Sequence, residues 1–167
     1  PMCLVSYGGG TKDNVICYSC EAHAIALGND LEFINDIAAE LQAEIRANFN
    51  EPTASVQAYN ADALGGNALS QEDTAKAISL ICAVPNSVQK MSQQIEGLVQ
   101  TSLNLGVASL QDDLRLTFSV RSSVNQEKED LLQQLRDLAA EYQGNYSQMG
   151  EYPAWEDKED SLLRDTM

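Results

Sequence analysis

Apolar residues at the start of the chain run in short stretches and then change to helical spacing. Met2–Tyr7 is a compact apolar run ending at Gly8-Gly9-Gly10, which predicts a strand followed by a turn. Val15–Ala26 alternates. Ile16, Tyr18, Cys20, Ala22 and Ala24 share one parity and Cys17, Ser19, Glu21 and His23 the other, as expected of a strand with one buried and one wetter face. Leu31, Ile34, Ile37, Ala38, Leu41 and Ile45 then form a helical stripe over Asp30–Asn48, with Asn29 or Asp30 as the N-cap and Asn50-Glu51-Pro52 as the stop. Ser55–Tyr59 predicts a strand and Ala61–Asn67 a flexible joint. Ser70, with Asp73 three residues on, caps a helix over Gln71–Cys82 that Pro85-Asn86 ends, and Val88–Gly97 fits no single period and is read as loop.

The order then repeats. Val99–Leu110 predicts a strand, Asp112-Asp113 a turn and Leu114–Arg121 a strand. Asn125 is placed to cap a helix over Gln126–Tyr142 whose stripe is Leu131, Leu132, Leu135, Leu138 and Ala139, and Tyr146–Met149 follows as a strand after Gly144-Asn145. In the last long strand Leu114, Leu116, Phe118 and Val120 face one way and Arg115, Thr117, Ser119 and Arg121 the other. In the strand before it Leu103, Leu105 and Val107 share a face, with Asn104 and Gly106 opposite. The expected fold is α+β: an antiparallel sheet with helices packed on one face, built as two strand-strand-helix-strand halves. Asn104 and Arg121 are expected on the face without helices. The halves cover about residues 1–60 and 98–150, joined by a helical linker at about 61–97.

Composition narrows the function more than the fold. A chain of 167 residues with 44% hydrophobic and 21% charged residues is expected to form one globular unit. Its net charge of −15 disfavours nucleic acid and anionic membranes as partners, because both reward Lys and Arg. No apolar run approaches the ~20 residues of a membrane span. The N-terminus lacks a basic segment followed by an apolar core, and four cysteines are too few for a disulfide scaffold, so a reduced, cytoplasmic protein is expected. Opening at Pro1 already within a strand is what a piece of a longer chain would show.

Catalytic chemistry is sparse. His23 is the one histidine, and no spacing of His, Cys and carboxylates suits zinc. Cys17-Tyr18-Ser19-Cys20 is a lone C-x-x-C whose thiols point to opposite faces if the segment is a strand, which favours plain packing. Gly8-Gly9-Gly10-Thr11 lacks the Lys-Ser/Thr register of a phosphate loop and reads as a hairpin turn. A Ser-His-acid set can be assembled on paper without any nucleophile elbow to support it. Two residues remain. The Asn14 carboxamide can donate to and accept from a peptide-like ligand, or simply serve a turn. Arg121 can clamp a carboxylate with two parallel hydrogen bonds, or form a surface ion pair.

At these residues the sequence resembles a known family. Gly9-Gly10-Thr11-Lys12-Asp13-Asn14-Val15-Ile16 is similar to the G-G-T-x-x-N-x-I segment of bacterial aminoacyl-histidine (Xaa-His) dipeptidases, the PepD-type carnosinases of the dinuclear-zinc M20 peptidases. Thr101-Ser102-Leu103-Asn104-Leu105-Gly106-Val107 resembles their T-S-L-N-x-G-V strand, Val120-Arg121-Ser122-Ser123 their I-R-S strand end, and Tyr152-Pro153-Ala154-Trp155 their Y-P-G-W exit. The blocks occur in family order over nearly the whole chain. Cys17 departs from the pattern, standing where relatives often carry Pro.

The resemblance implies the lid or dimerisation domain over 1–155, with 156–167 beginning the return to a catalytic domain that lies outside this chain. It implies two zinc ions in the parent enzyme and none in this segment. Asn14 and Arg121 match the family's substrate-contacting positions, and Asn104 is a weaker candidate on the same face. The implied partners are a dipeptide substrate, the chain's own catalytic domain and a second copy in a homodimer. On this reading the segment alone is inactive. The alternatives are a stand-alone α/β interaction or ligand-sensing module, and the lid of another M20 di- or tripeptidase.

Overall fold

The computed structural model describes residues 2–26, 31–61 and 67–154. The strands are β1 (Met2–Gly9), β2 (Cys20–Ala26), β3 (Ser87–Met91), β4 (Val99–Leu110) and β5 (Leu114–Ser122), and the helices are α1 (Leu31–Asn48), α2 (Gln71–Ala83) and α3 (Asn125–Glu141). They form an α+β fold around an open, five-stranded sheet whose pairs are all antiparallel.

β4 organises the sheet. Along one edge it pairs with β5 from Thr101 to Leu110. Its other edge is shared: β3 takes Val99–Leu103 and β1 takes Ala108–Leu110. Between those two partners the Leu105 N–H donates to Asn86 Oδ1 at 2.8 Å. The ladder with β5 slips between Leu105 and Val107, so Gly106 is a bulge residue. Leu103 faces Val120 and Leu105 faces Phe118, but after the bulge Ala108 faces Leu116 and Leu110 faces Leu114. The core parity therefore moves from odd to even residues, and Val107 pairs with Thr117 on the polar side, not with Leu103 and Leu105 as strict alternation predicts.

The apolar face of β5 packs under α3. Leu103, Leu131 and Leu135 are buried together, with Phe118, Val120 and Tyr146 against them. Lys128 is buried beside this layer because its Nζ donates to Tyr152 O at 2.8 Å, so the ammonium keeps a partner as its stem packs. α2 completes the free edge of β1: the Leu4 N–H donates to the buried Thr74 Oγ1 at 3.0 Å, and Leu4 O accepts from Leu69 N at 2.8 Å. Ser70 caps α2 as its sequence predicts, accepting from Asp73 N at 3.0 Å.

Several expectations are corrected. β2 starts at Cys20, not Val15, and Ile16 and Tyr18 are more than four-fifths exposed in the connection that precedes it. Val88–Gly97 is not all loop: Ser87–Met91 pairs with β4, although every one of its residues is exposed. Ser55–Tyr59 and Tyr146–Met149 are not strands, so neither half closes with the fourth element expected of it. The cap of α3 is Val124, with no side-chain cap bond, because the Asn125 carboxamide accepts from Ala154 N at 3.0 Å instead. The proposed caps Asn29 and Asp30, most of the 61–67 joint, and everything from Trp155 onward lie outside the described residues.

Candidate ligand face

The site begins with a glycine pair. Gly10, at φ +80°, ends the run of β1 and lies so close to β4 that a Cβ there would sit 1.8 Å from Gly106 O. A Cβ on Gly106 would in turn sit 2.3 Å from Asp13 O and 2.4 Å from Lys12 O. Only paired glycines let the β1–β2 connection lie directly on β4. Val15 N donates to Lys12 O at 3.3 Å, closing a turn with Asp13 and Asn14 at its tip.

Asn104 fastens that turn. Its Nδ2 donates to Asp13 O at 2.7 Å and to Val15 O at 3.0 Å. Both N–H donors of the carboxamide are thereby used, one on each flank of Asn14, and Oδ1 remains as an acceptor. The Asn14 side chain is exposed.

Arg121 reaches the same face by register. Asn104 pairs with Ser119 and Ser102 with Arg121, whereas the neighbouring pairs Leu103–Val120 and Leu105–Phe118 point into the core. Asn104, Ser119, Ser102 and Arg121 thus share the face turned away from α3, and Asn104 and Arg121 are diagonal neighbours. Such neighbours lie roughly 7–8 Å apart, within reach of one small ligand. Arg121 is exposed and no ion pair joins it to another described residue. The exposed Arg121 side chain lies on this face, and the exposed Asn14 side chain is carried by the turn that Asn104 holds there. The three residues picked out from sequence are therefore brought to one surface, and Asn104 has a structural task there in addition: it positions the turn that carries Asn14.

Away from this face, both ring nitrogens of His23 are engaged. His23 Nδ1 is 3.0 Å from Ser6 Oγ and its Nε2 is 3.0 Å from Glu21 Oε1, which also accepts from Tyr59 OH at 3.4 Å. This is a Ser-His-acid line, but Ser6 lies within a continuous strand and pairs directly with His23 in the ladder, so its hydroxyl is presented on no exposed turn. Shallow clefts run along the outer side of α3, lined by Asp130, Gln133, Asp137 and Glu141, away from the Arg121 face. No group of three or more His, Cys, Asp and Glu side chains converges as a metal site among the described residues, and no described helix is long and apolar enough to cross a membrane.

No family model matches the chain. The chain is 25% identical to the cytosol non-specific dipeptidase of Escherichia coli K12 over 170 aligned positions, covering 98% of this chain and 35% of that protein. Its fold superposes on the crystal structure of the aminoacylhistidine dipeptidase from Vibrio alginolyticus with a TM-score of 0.88 at 21% identity, over 98% of this chain and 34% of that one. The chain thus spans about a third of the length of the relatives it matches. The resemblance to a segment of these dipeptidases holds along almost its whole length.

Proposed function

We propose that this chain is the lid and dimerisation segment of a cytoplasmic, zinc-dependent dipeptidase acting on Xaa-His dipeptides such as carnosine, and that it grips substrate without cutting it. One observation carries the reading. Asn104 holds both flanks of Asn14 against the strand pair that carries Arg121, so an amide and a guanidinium far apart in sequence are carried on one face.

The chemistry of the two groups suits a dipeptide. Its free carboxylate accepts two parallel bonds from Arg121, a geometry that a Lys would not supply. Asn14 donates to the peptide carbonyl or main chain. Holding both ends of a two-residue substrate fixes the scissile bond relative to whatever attacks it, and orientation of that kind accounts for a large part of many rate enhancements. In this proposal the two zinc ions belong to a catalytic domain outside the chain, and the chain's own residues contribute binding and orientation only.

Two further features support the assembly. On α1, Phe33, Ile37 and Leu41 recur every fourth residue and remain exposed, at 66%, 47% and 45%. That stripe is an apolar surface of the kind a catalytic domain or a second copy covers. The net charge of −15 argues against nucleic acid and anionic membranes as partners.

The test is an assay of this chain with a β-alanyl-histidine dipeptide and added zinc. No turnover is expected from the chain, and turnover is expected once the segments that flank it in the complete polypeptide are restored. Robust metal-dependent hydrolysis by the chain itself would refute the division of labour.

A further inference from the structure

We propose that Cys17 and Cys20 form an oxidisable dithiol at the base of the Asn14 turn, a modification site that a small-molecule disulfide converts into an intrachain Cys17–Cys20 bond. The expectation that these thiols diverge across a strand does not hold, because β2 begins only at Cys20. Instead both cysteines surround Gly9. Cys20 pairs with Gly9 in the β1–β2 ladder, and its Cβ lies 2.8 Å from the point where Gly9 would carry a Cβ. Cys17 Sγ lies 3.3 Å from that same point. The space left by one missing side chain thus holds the sulfur of one cysteine and the Cβ of the other.

The two residues differ in freedom. Cys20 is fixed by the ladder. Cys17 is held only by its own thiol, which donates to Ser19 O at 3.1 Å, and residues 16–19 have no ladder partner. Cys17 can therefore travel toward Cys20 without breaking the sheet, which a disulfide with its narrow range of Cβ separations requires. Burial first, and the neighbouring Cys17 sulfur second, push the Cys20 thiol up. Cys20 thus suits the second, resolving step rather than the first attack.

The chemistry balances with an added disulfide R–S–S–R. The Cys17 thiolate attacks one sulfur of the reagent, the reagent's S–S bond breaks, and the other half leaves as the thiolate R–S⁻. The Cys20 thiolate then attacks Cys17 Sγ and expels the second R–S thiolate. Two protein thiols are oxidised, the reagent is reduced to two thiols, and the two protons from the cysteines end, by way of solvent, on the released R–S thiolates.

The bond would act on the turn next to it. Val15 O is held by Asn104 and Cys20 by Gly9, so the span between them is anchored at both ends. A 17–20 link shortens that span and stiffens the segment that follows Asn14. The link itself stands independently of the dipeptidase reading.

The experiment treats the chain with oxidised glutathione and maps the products by mass spectrometry after alkylation. The expected product has lost two of its four thiols and yields a peptide cross-linked between Cys17 and Cys20. A Cys3→Ser, Cys82→Ser double variant still forms the link. Cys17→Ser and Cys20→Ser do not, and end unreacted or as mixed disulfides. A wild-type chain that keeps all its thiols, stops at mixed disulfides or links through Cys3 or Cys82 overturns the proposal. Chymotryptic cleavage after the exposed Tyr18 should slow several-fold on oxidation of the wild type and stay unchanged in Cys20→Ser. Unaltered cleavage in a chain that has formed the link overturns the stiffening of the turn.

Discussion

Asn104 and Val15 stand 89 positions apart in the chain, yet the Asn104 amide donates to the Val15 carbonyl at 3.0 Å while its second N–H holds Asp13 O at 2.7 Å. A single side chain thereby sets the height and direction of the Asn14 turn above β4. Truncation to Asn104→Ala should cost about 1–3 kcal/mol of stability, the usual range when two such bonds are lost and carbonyls are left to find water. Asn104→Asp keeps the shape but removes both donors, and should release the turn as fully. Amide exchange over residues 11–16 measures it: faster exchange there, with β5 and α3 unchanged, is the expected result.

Gly106 and Gly10 make that docking sterically possible. Gly106→Ala would place a Cβ 2.3 Å from Asp13 O, so the turn must lift away or β4 must deform. The expected destabilisation exceeds that of Asn104→Ala, about 2–4 kcal/mol, because backbone rather than a flexible side chain has to move. Chemical denaturation of the two variants side by side checks the ranking.

Much of the fold is legible from periodicity alone. β4, β5, α2 and α3 agree with their sequence bounds to within a residue: β5, α2 and α3 keep one period from end to end, and β4 stays apolar enough on both sides of its bulge to read as one strand. The bulge at Gly106 is not legible in the same way. Leu103, Leu105 and Val107 read as one face, and only the register with β5 reveals that Val107 has turned to the other. β3 is hidden for a different reason: its exposed residues bear no alternation, and β4 supplies the pairing. Ile16 and Tyr18 misled in the opposite direction, since their alternation mimics a strand on an open connection. Of the ligand face, Asn14 and Arg121 stand out by residue type and by resemblance. Asn104 is placed on the same face by its strand parity, but that its amide fastens the Asn14 turn could not be seen, because it depends on contacts between segments remote in sequence.

Thr74 anchors α2 to the edge of β1. Its hydroxyl accepts from Leu4 N at 3.0 Å, and the residue is 4% exposed. Thr74→Val keeps the shape and removes the acceptor, leaving a buried N–H without its partner, so a loss of about 1–3 kcal/mol is expected. Thr74→Ser, which keeps the hydroxyl, should recover most of it. Thermal or urea denaturation distinguishes the three proteins.

Glu127 gives the fold an acid limit. Its carboxylate accepts from Lys90, from Thr101 Oγ1 and from Gln100 Nε2, the last at 2.7 Å, and these bonds, with that from Lys90 foremost, hold its pKa down at about 2. The unfolded chain takes up this proton near the ordinary value of about 4.3. The stabilisation is therefore complete above that value and declines as pH falls from it toward about 2. Glu127→Gln removes the titration, so its stability should fall less steeply over this acid range than that of the wild type. Denaturant midpoints measured at a series of acid pH values report the difference.

The most direct measurement is the steady-state kinetics of Arg121→Ala in the complete polypeptide, with a dipeptide and with its C-terminal amide. If Arg121 grips the carboxylate equally in ground and transition states, KM for the dipeptide rises by roughly tenfold or more while kcat changes little. KM for the amide, which has no carboxylate to lose, should then scarcely change. A variant whose KM and kcat for the dipeptide both match the wild type would contradict the assignment of this face to substrate.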